Sequence, residues 1–261
     1  MATLATTAVR PAQVVINLVA QQLSVRYRRA WLGFAWMLLV PLAAMTAMSL
    51  AVWLILAGTG ARDSQFLARI VVSLPAYFLF QGTILSASGS LVGHQDILRR
   101  HSVNRMVFPI AASITALVEY GVASLTLVLL GPWIGVHVGP EVITVLIGAA
   151  SIWVSAIGIG LIGAIAVVHF RDMQHVLQVG LNLLYWATPI LYDIERVPEH
   201  LRPLWALNPV ATMLSLYTDP LVRGEWASGT SVMTSAGFAM VLFAAGVMFF
   251  RRYERQVVFS L

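Results

Sequence analysis

Glu119 is an acidic residue that lies deep inside an apolar stretch of the sequence, between Val107 and Gly131. A carboxylate at that depth in a bilayer costs several kcal/mol unless it is paired, protonated or beside water, so it should face the protein interior. Two interpretations remain open. Glu119 either makes a structural hydrogen bond to a neighbouring helix or second subunit, or it lines a polar path for a transported molecule.

Patterns that bind nucleotides are missing or lie in the wrong context. The letters Gly158-Ile-Gly160-Leu-Ile-Gly163 match a dinucleotide fingerprint, but they lie in a continuous apolar run without a preceding strand or an acidic ribose partner. Small residues at this spacing favour close packing of helices instead. The sequence contains no lysine and therefore no P-loop, so ATP-driven work would need a partner protein.

Catalytic and metal sites have little support in the sequence. The histidines form no His-x-x-x-His pair, which argues against a zinc site: His94, His101, His137, His169, His175 and His200. Ser86-Ala-Ser88-Gly89, with His169 in another apolar segment, suggests an intramembrane serine protease, but the glycine that normally precedes the nucleophile is absent. We therefore predict no catalytic residue, no metal site and no cofactor in this chain.

The composition requires a membrane environment. Hydrophobic residues make up 59% of the 261 residues and charged residues 10%, and the mean hydropathy is +0.83. Soluble domains have about half apolar and about a quarter charged residues. A spanning helix needs about 20 apolar residues, and such runs lie at 32–57, 67–92, 107–131, 142–168, 174–192 and 231–250. The sequence predicts an all-α membrane protein with six transmembrane helices in one domain, 1–261.

The distribution of arginine predicts the orientation of the chain. All 16 basic residues are arginines, and eleven of them lie in the N-terminus, the 93–106 loop, the turn at 171 and the C-terminus. The other five lie on the opposite side of the membrane or at the span ends that face it. Because cytoplasmic loops carry the excess of positive charge, both termini are predicted to be cytoplasmic, in agreement with an even number of spans.

Three segments outside the spans have patterns of their own. Residues 11–30 begin with Pro11 and place apolar residues on one side, which predicts an interfacial helix. The polar loop at 94–106 is predicted to contain a short amphipathic helix on the cytoplasmic side. The loop at 193–229 is long and interrupted by four prolines, so we expect short re-entrant or interfacial helices on the outer face.

Aromatic residues near or within the apolar runs are candidates for lining a path, together with Glu119. Aromatic rings can stack on the apolar faces of sugar rings, although packing in the core is the alternative for each of them. The candidates are Tyr77, Phe80, Tyr120, Tyr185 and Trp186.

Five segments together resemble the permease subunits of ABC-2-type exporters of polysaccharides and polyol phosphates, the family of O-antigen, teichoic acid and capsule exporters. No single motif is specific, but their order and spacing are, and the resemblance covers essentially the whole chain. The segments are Arg26-Tyr-Arg-Arg-Ala-Trp-Leu-Gly-Phe-Ala-Trp-Met-Leu-Leu-Val-Pro41, Arg99-Arg-His-Ser-Val-Asn-Arg-Met-Val-Phe-Pro109, Phe170-Arg-Asp172, Ala187-Thr-Pro189 and Leu207-Asn-Pro209.

The resemblance implies a homodimer of this permease with two copies of a separate ABC ATPase, which would use ATP and magnesium. The substrate would be a lipid-linked or long-chain polysaccharide, such as O-antigen, exported across the bacterial inner membrane. A permease for capsule polysaccharide, teichoic acid, or a non-glycan lipid or drug is the alternative. Nucleic acid is not an expected partner.

The resemblance also implies roles for two groups of residues. One group matches the family's coupling helix, which contacts the ATPase: Gln95, Asp96, Arg99, Arg100 and Arg105. The other matches the gate helix, where an anionic lipid-linked substrate would gain access: Arg26, Tyr27, Arg28 and Arg29. Guanidinium groups suit a phosphate there because they bind it in bidentate fashion and remain charged.

Overall fold

The computed structural model describes residues 11–27, 31–59, 64–100, 103–137, 139–188 and 208–256. Within these residues the chain is helical and contains no β-strand. The helices are α1 (Pro11–Tyr27), α2 (Trp36–Thr59), α3 (Ser64–Gly93), α4 (Gln95–Arg100), α5 (Val107–Ile134), α6 (Val142–His169), α7 (Met173–Ala187), α8 (Pro209–Arg223) and α9 (Gly229–Tyr253). A short 3-10 turn, Gly33–Ala35, leads into α2.

Five helices of the described part are long and apolar enough to cross a membrane, namely α2, α3, α5, α6 and α9. The shortest, α2, has 24 residues, and the longest, α3, has 30. At 1.5 Å per residue, a helix of about 20 residues already matches a hydrocarbon core of about 30 Å. The all-α, multi-pass membrane fold predicted from composition is confirmed.

The predicted segment 174–192 corresponds to α7, which has 15 residues. This length gives about 22 Å of helix, less than the hydrocarbon thickness of about 30 Å. The helix ends because Thr188 adopts an extended conformation with ψ of 137° before Pro189, as expected for a residue that precedes proline. Residues 189–207 lie outside the described part, so the sixth crossing stays a prediction.

The centre of the bundle is formed by α3 and α6, which pack along each other and are the most buried of the long helices. On their other sides α5 packs against α3, and α9 packs against α6. By contrast, most of α2 and α9 is exposed in the single chain.

The glycines of the segment 158–163 allow the close approach of these helices. A Cβ on Gly158 would collide with the backbone of α9 at Leu242, and one on Gly160 would lie 2.7 Å from the Cβ of Ala87. A Cβ on Gly163 would collide with the hydroxyl of Ser88. The prediction that this motif serves helix packing is therefore confirmed.

The part of the predicted outer loop that the structure describes contains α8. Asn208 caps this helix by accepting a hydrogen bond from the Val210 amide at 3.0 Å, and Pro209 occupies the first turn. The Asn208 side chain also donates to the Thr188 hydroxyl at 3.2 Å, which ties the start of α8 to the end of α7. The buried face of α8 packs on α3 and α6, and its re-entrant character stays a prediction.

Candidate gate site between α1 and the helical bundle

The N-terminal helix α1 lies along α5. Leu18 is buried in an apolar cluster with Phe108 and Ala111 of α5. One turn further along, the Gln22 side-chain oxygen accepts a hydrogen bond from the Thr115 hydroxyl at 2.8 Å. The apolar side of α1 predicted from the sequence therefore faces the bundle, and the C-terminal end of α1 is directed along α5 toward Glu119.

Arg26, in the last turn of α1, forms an ion pair with Glu119 of α5. The Arg26 side chain is 51% exposed and that of Glu119 is 25% exposed. The structure thus brings together a predicted gate residue and a predicted path residue that are 93 positions apart. Tyr27 is the last residue of α1, its side chain lies outside the described part, and Arg28 and Arg29 also lie outside it.

An apolar cavity of about 270 Å³ lies beside this ion pair. Its wall combines the start of α2 with the middle of α3 and α5, and most of its side chains are apolar. A Cβ added to Gly82 would meet nothing within 4 Å, so this glycine borders open space. The lining residues are Arg26, Trp36, Met37, Val40, Pro41, Phe78, Leu79, Gly82, Ala116, Glu119, Tyr120 and Ala123.

A second, polar cavity of about 660 Å³ also has Arg26 in its wall. It is bounded by α1, the C-terminal part of α3, α4 and α5, and its wall is rich in hydroxyl and amide groups. The lining residues are Gln21, Gln22, Val25, Arg26, Ser86, Gly89, Ser90, Gly93, His94, Asp96, Ile97, Ala112 and Thr115.

Arg26 belongs to the walls of both cavities. A guanidinium group therefore lies where an apolar space meets a polar one. This arrangement suits an amphiphile whose anionic group separates an apolar chain from a polar head, since guanidinium binds phosphate oxygens strongly through parallel hydrogen bonds.

The predicted coupling residues lie mainly on the short helix α4. Arg99 and Arg100 are exposed in its last turn, and Asp96 in its first turn borders the polar cavity. Leu98 is buried in the same apolar cluster as Leu18, so α4 is fixed to the bundle. Gln95 begins the helix and is partly buried.

Arg105 is placed differently from the other coupling residues. Its guanidinium donates a hydrogen bond of 2.6 Å to the backbone carbonyl of Glu254, at the C-terminal end of α9. A cation at this position stabilises the partial negative charge of the helix terminus. Arg105 thus connects the end of the coupling segment to α9.

The five aromatic candidates fall into different environments. Tyr77 and Phe80 are buried in the core, at 1% and 2% exposure, and the Tyr77 hydroxyl donates to the backbone carbonyl of Leu181. The Tyr185 ring lies 5.0 Å from that of Tyr77 and 5.7 Å from that of Trp186, which is 64% exposed. The rings of Phe80, Tyr77, Tyr185 and Trp186 thus form a series from the core to the exposed surface of α7. Tyr120, the fifth, lines the apolar cavity.

A row of amide side chains on α7 was missed by the sequence analysis. Asn182 accepts hydrogen bonds from Gln81 of α3 at 2.9 Å and from Gln178 at 3.3 Å. One turn earlier, Gln174 donates to the Leu85 carbonyl at 3.1 Å. The spacing of 174, 178 and 182 was a usable signal, because residues four apart share one face of a helix.

The serine and histidine residues considered for proteolysis do not form a catalytic pair in the described residues. The Ser88 hydroxyl is fully buried against α6 and makes no hydrogen bond there. The His169 ring bonds to the Ile165 carbonyl of its own helix at 2.9 Å. A nucleophile without an adjacent base is not activated.

The described residues form several long apolar helices with cavities between them, which defines a multi-pass membrane protein. The profile of the ABC-2 type transporter family matches residues 13–222, and the chain belongs to this family. It is a permease of an export system that includes a partner ATPase, and it is not an enzyme.

Two named relatives match nearly the whole chain. The O-antigen export system permease protein RfbA of Myxococcus xanthus is 28% identical over 251 residues, which is 92% of this chain and 93% of the relative. The polysialic acid transport protein KpsM of Escherichia coli is 23% identical over 244 residues, with the same coverage of both chains. A shorter match of 67 residues at 30% identity, to the O-antigen export system permease protein RfbA of Klebsiella pneumoniae, covers 26% of each.

Proposed function

We propose that this chain is the permease of an ABC exporter that moves a lipid-linked or long-chain cell-surface glycan from the cytoplasm across the bacterial inner membrane. The relatives that match over 92% of the chain are named for export of O-antigen and transport of polysialic acid, both polysaccharides. The observation that supports a lipid-linked substrate is the position of Arg26, where the apolar cavity meets the polar cavity.

The three parts of a lipid-linked glycan match the three parts of this site. The apolar cavity between α2, α3 and α5 would take the beginning of the lipid chain, and Arg26 the anionic linkage. The polar cavity, with its hydroxyl and amide groups, would take the first sugars.

The proposed assembly is a homodimer with two ATPase subunits on the cytoplasmic side, where ATP and magnesium are used. The exposed arginines of α4 would contact the ATPase, and both termini of the permease would be cytoplasmic, as the arginine distribution predicts. The partly exposed amides at 81, 178 and 182 support a dimer or a water-filled path on that face. These amides bond to one another, but each has further donors or acceptors, which are costly to expose to hydrocarbon, so protein or water should cover this face.

Capsule polysaccharide is the second candidate for the substrate. It is supported by the match to KpsM, which covers as much of the chain as the match to the Myxococcus permease. Teichoic acid or a non-glycan lipid remains an outcome of the same experiment.

Deletion of the gene in its host, followed by complementation, tests the proposal. We expect loss of the surface glycan and intracellular accumulation of its lipid-linked form, both reversed by the wild-type chain. Mass spectrometry of the accumulated lipid identifies the glycan. A deletion strain with unchanged surface glycan and no accumulated lipid-linked saccharide would refute the proposed function.

Charge reversal at α4 tests the proposed coupling role. Arg99→Glu with Arg100→Glu should abolish export while the permease remains in the membrane, because the contact with the ATPase is lost. The matched control is Arg251→Glu with Arg252→Glu, which changes the cytoplasmic charge equally at the exposed end of α9. Normal export by the α4 variant, or equal loss in both, would count against coupling through α4.

A further inference from the structure

The carboxylate of Glu119 lies where a bound anion would be expected. It is paired with Arg26, and both groups belong to the wall of the apolar cavity. A guanidinium at the edge of an apolar cavity is favoured by an anionic partner on its protein side. Glu119 supplies such a partner from within the chain.

An incoming anion could replace this partner at low cost. The pair is partly exposed, and ion pairs of this kind contribute little net stability. A diphosphate has more charge and more acceptor oxygens than a carboxylate, so it competes well for a guanidinium. A neutral lipid offers no anion and leaves the pair in place.

We propose that Glu119 is a specificity residue that competes with the substrate's anionic linkage for Arg26, so that only amphiphiles with a strong anionic group gain access. This inference rests on the proposed function, because it concerns the same gate site. It combines the two interpretations left open by the sequence: Glu119 bonds to the neighbouring helix α1, and that bond is exchanged when substrate binds.

Opposite effects of two substitutions distinguish this role from a structural ion pair. Glu119→Gln removes the competitor and should tighten the binding of an anionic amphiphile by about twofold to fivefold, in proportion to the small stability of a partly exposed pair. Arg26→Gln removes the receptor and should weaken binding by at least about tenfold. A purely structural pair predicts that both substitutions change binding in the same direction.

The assay uses the complete complex of permease and ATPase in nanodiscs of zwitterionic lipid. Binding of radiolabelled farnesyl diphosphate is measured against empty nanodiscs, with farnesol and inorganic pyrophosphate as competitors. We expect neither farnesol nor inorganic pyrophosphate alone to compete strongly with farnesyl diphosphate. Glu119→Gln should tighten farnesyl diphosphate binding, and higher salt should weaken it.

A second pair of variants tests the location without changing a charge. Gly82→Leu should fill the apolar cavity and reduce farnesyl diphosphate binding, because Gly82 belongs to the cavity wall and a Cβ added there meets nothing within 4 Å. Gly237→Leu is the matched control, since this glycine lies on exposed α9, its Cβ also meets nothing within 4 Å, and it borders neither cavity.

Several results would overturn the inference. One is that Glu119→Gln binds farnesyl diphosphate as the wild type does, or more weakly; another is that Gly82→Leu and Gly237→Leu lose binding equally. A third is that inorganic pyrophosphate competes as well as unlabelled farnesyl diphosphate. A fourth is that adding phosphatidylglycerol to the nanodisc abolishes the difference between the wild type and Glu119→Gln. The proposed function is tested separately, by the loss of surface glycan in the deletion strain, and none of these binding results would change that outcome. Failure of the inference is therefore distinguishable from failure of the proposed function.

Discussion

Gly158→Ala should destabilise the packing of α6 against α9. The added Cβ would lie 2.5 Å from the carbonyl carbon of Leu242 and 2.7 Å from the amide nitrogen of Phe243, and both are backbone atoms. Favourable carbon contacts begin near 3.5 Å, so α9 would have to move away by about 1 Å. Overpacking of this kind costs about 1–3 kcal/mol.

The measurement is the free energy of unfolding in mixed micelles, obtained from an SDS titration. Gly237→Ala is the control, because the same change on exposed α9 meets open space and should stabilise the helix by about 0–1 kcal/mol. Gly246 lies opposite Gly158, with its own Cβ position 2.6 Å from the Gly158 Cα. The double variant Gly158→Ala/Gly246→Ala should therefore lose less than the sum of the single losses. A Gly158→Ala protein as stable as Gly237→Ala would refute the close-contact reasoning.

Three further predictions follow from individual contacts. Arg105→Gln removes a charged donor from the Glu254 carbonyl and should cost about 1–3 kcal/mol locally; faster hydrogen exchange at the end of α9 would show this, and unchanged exchange would contradict it. Burial raises the pKa of Asp219 above its ordinary value of 3.8, against the opposing effect of Arg69, 3.7 Å away. Between pH 3.8 and the folded pKa, Asp219 is therefore protonated in the folded protein and ionised in the unfolded protein. The free energy of unfolding should rise as the pH falls through this range. Asp219→Asn should remove this rise in thermal melts recorded as a function of pH. Asn182→Leu removes the acceptor shared by Gln81 and Gln178 and should reduce glycan export without loss of membrane insertion; normal export with higher stability would instead indicate a lipid-facing surface.

The helical fold follows from the sequence because the bilayer imposes one dominant constraint. Backbone groups in hydrocarbon must be hydrogen-bonded within the segment, so long apolar runs such as 142–168 have to be helices. The structure has α6 at Val142–His169. Helix ends were harder to predict, although the signal was present for α7, where Pro189 disfavours a helical conformation at Thr188.

The gate site could be predicted only as separate residue types. A lone acid at 119 and a basic cluster at 26–29 were evident, but their pairing depends on how α1 lies along α5, and no local pattern encodes an association across 93 positions. Arg105 shows the same limit, since its sequence neighbours suggest an exposed coupling loop, whereas its partner belongs to α9.

The helices α1 and α4 both contribute to the wall of the polar cavity, which connects the proposed ATPase contact directly to the proposed substrate site. Asp96 and Ile97 of α4 face that cavity together with Gln22 and Arg26 of α1. Because Leu98 fixes α4 to the same apolar cluster that holds α1, a displacement of α4 by the ATPase cannot leave the cavity unchanged. Densely packed elements shift between discrete arrangements, so the two helices would move as one bistable unit. Movement of α4 by the ATPase and binding of substrate at Arg26 would then both act on the wall of the same cavity. Their coupling would require no chain of contacts through the transmembrane helices.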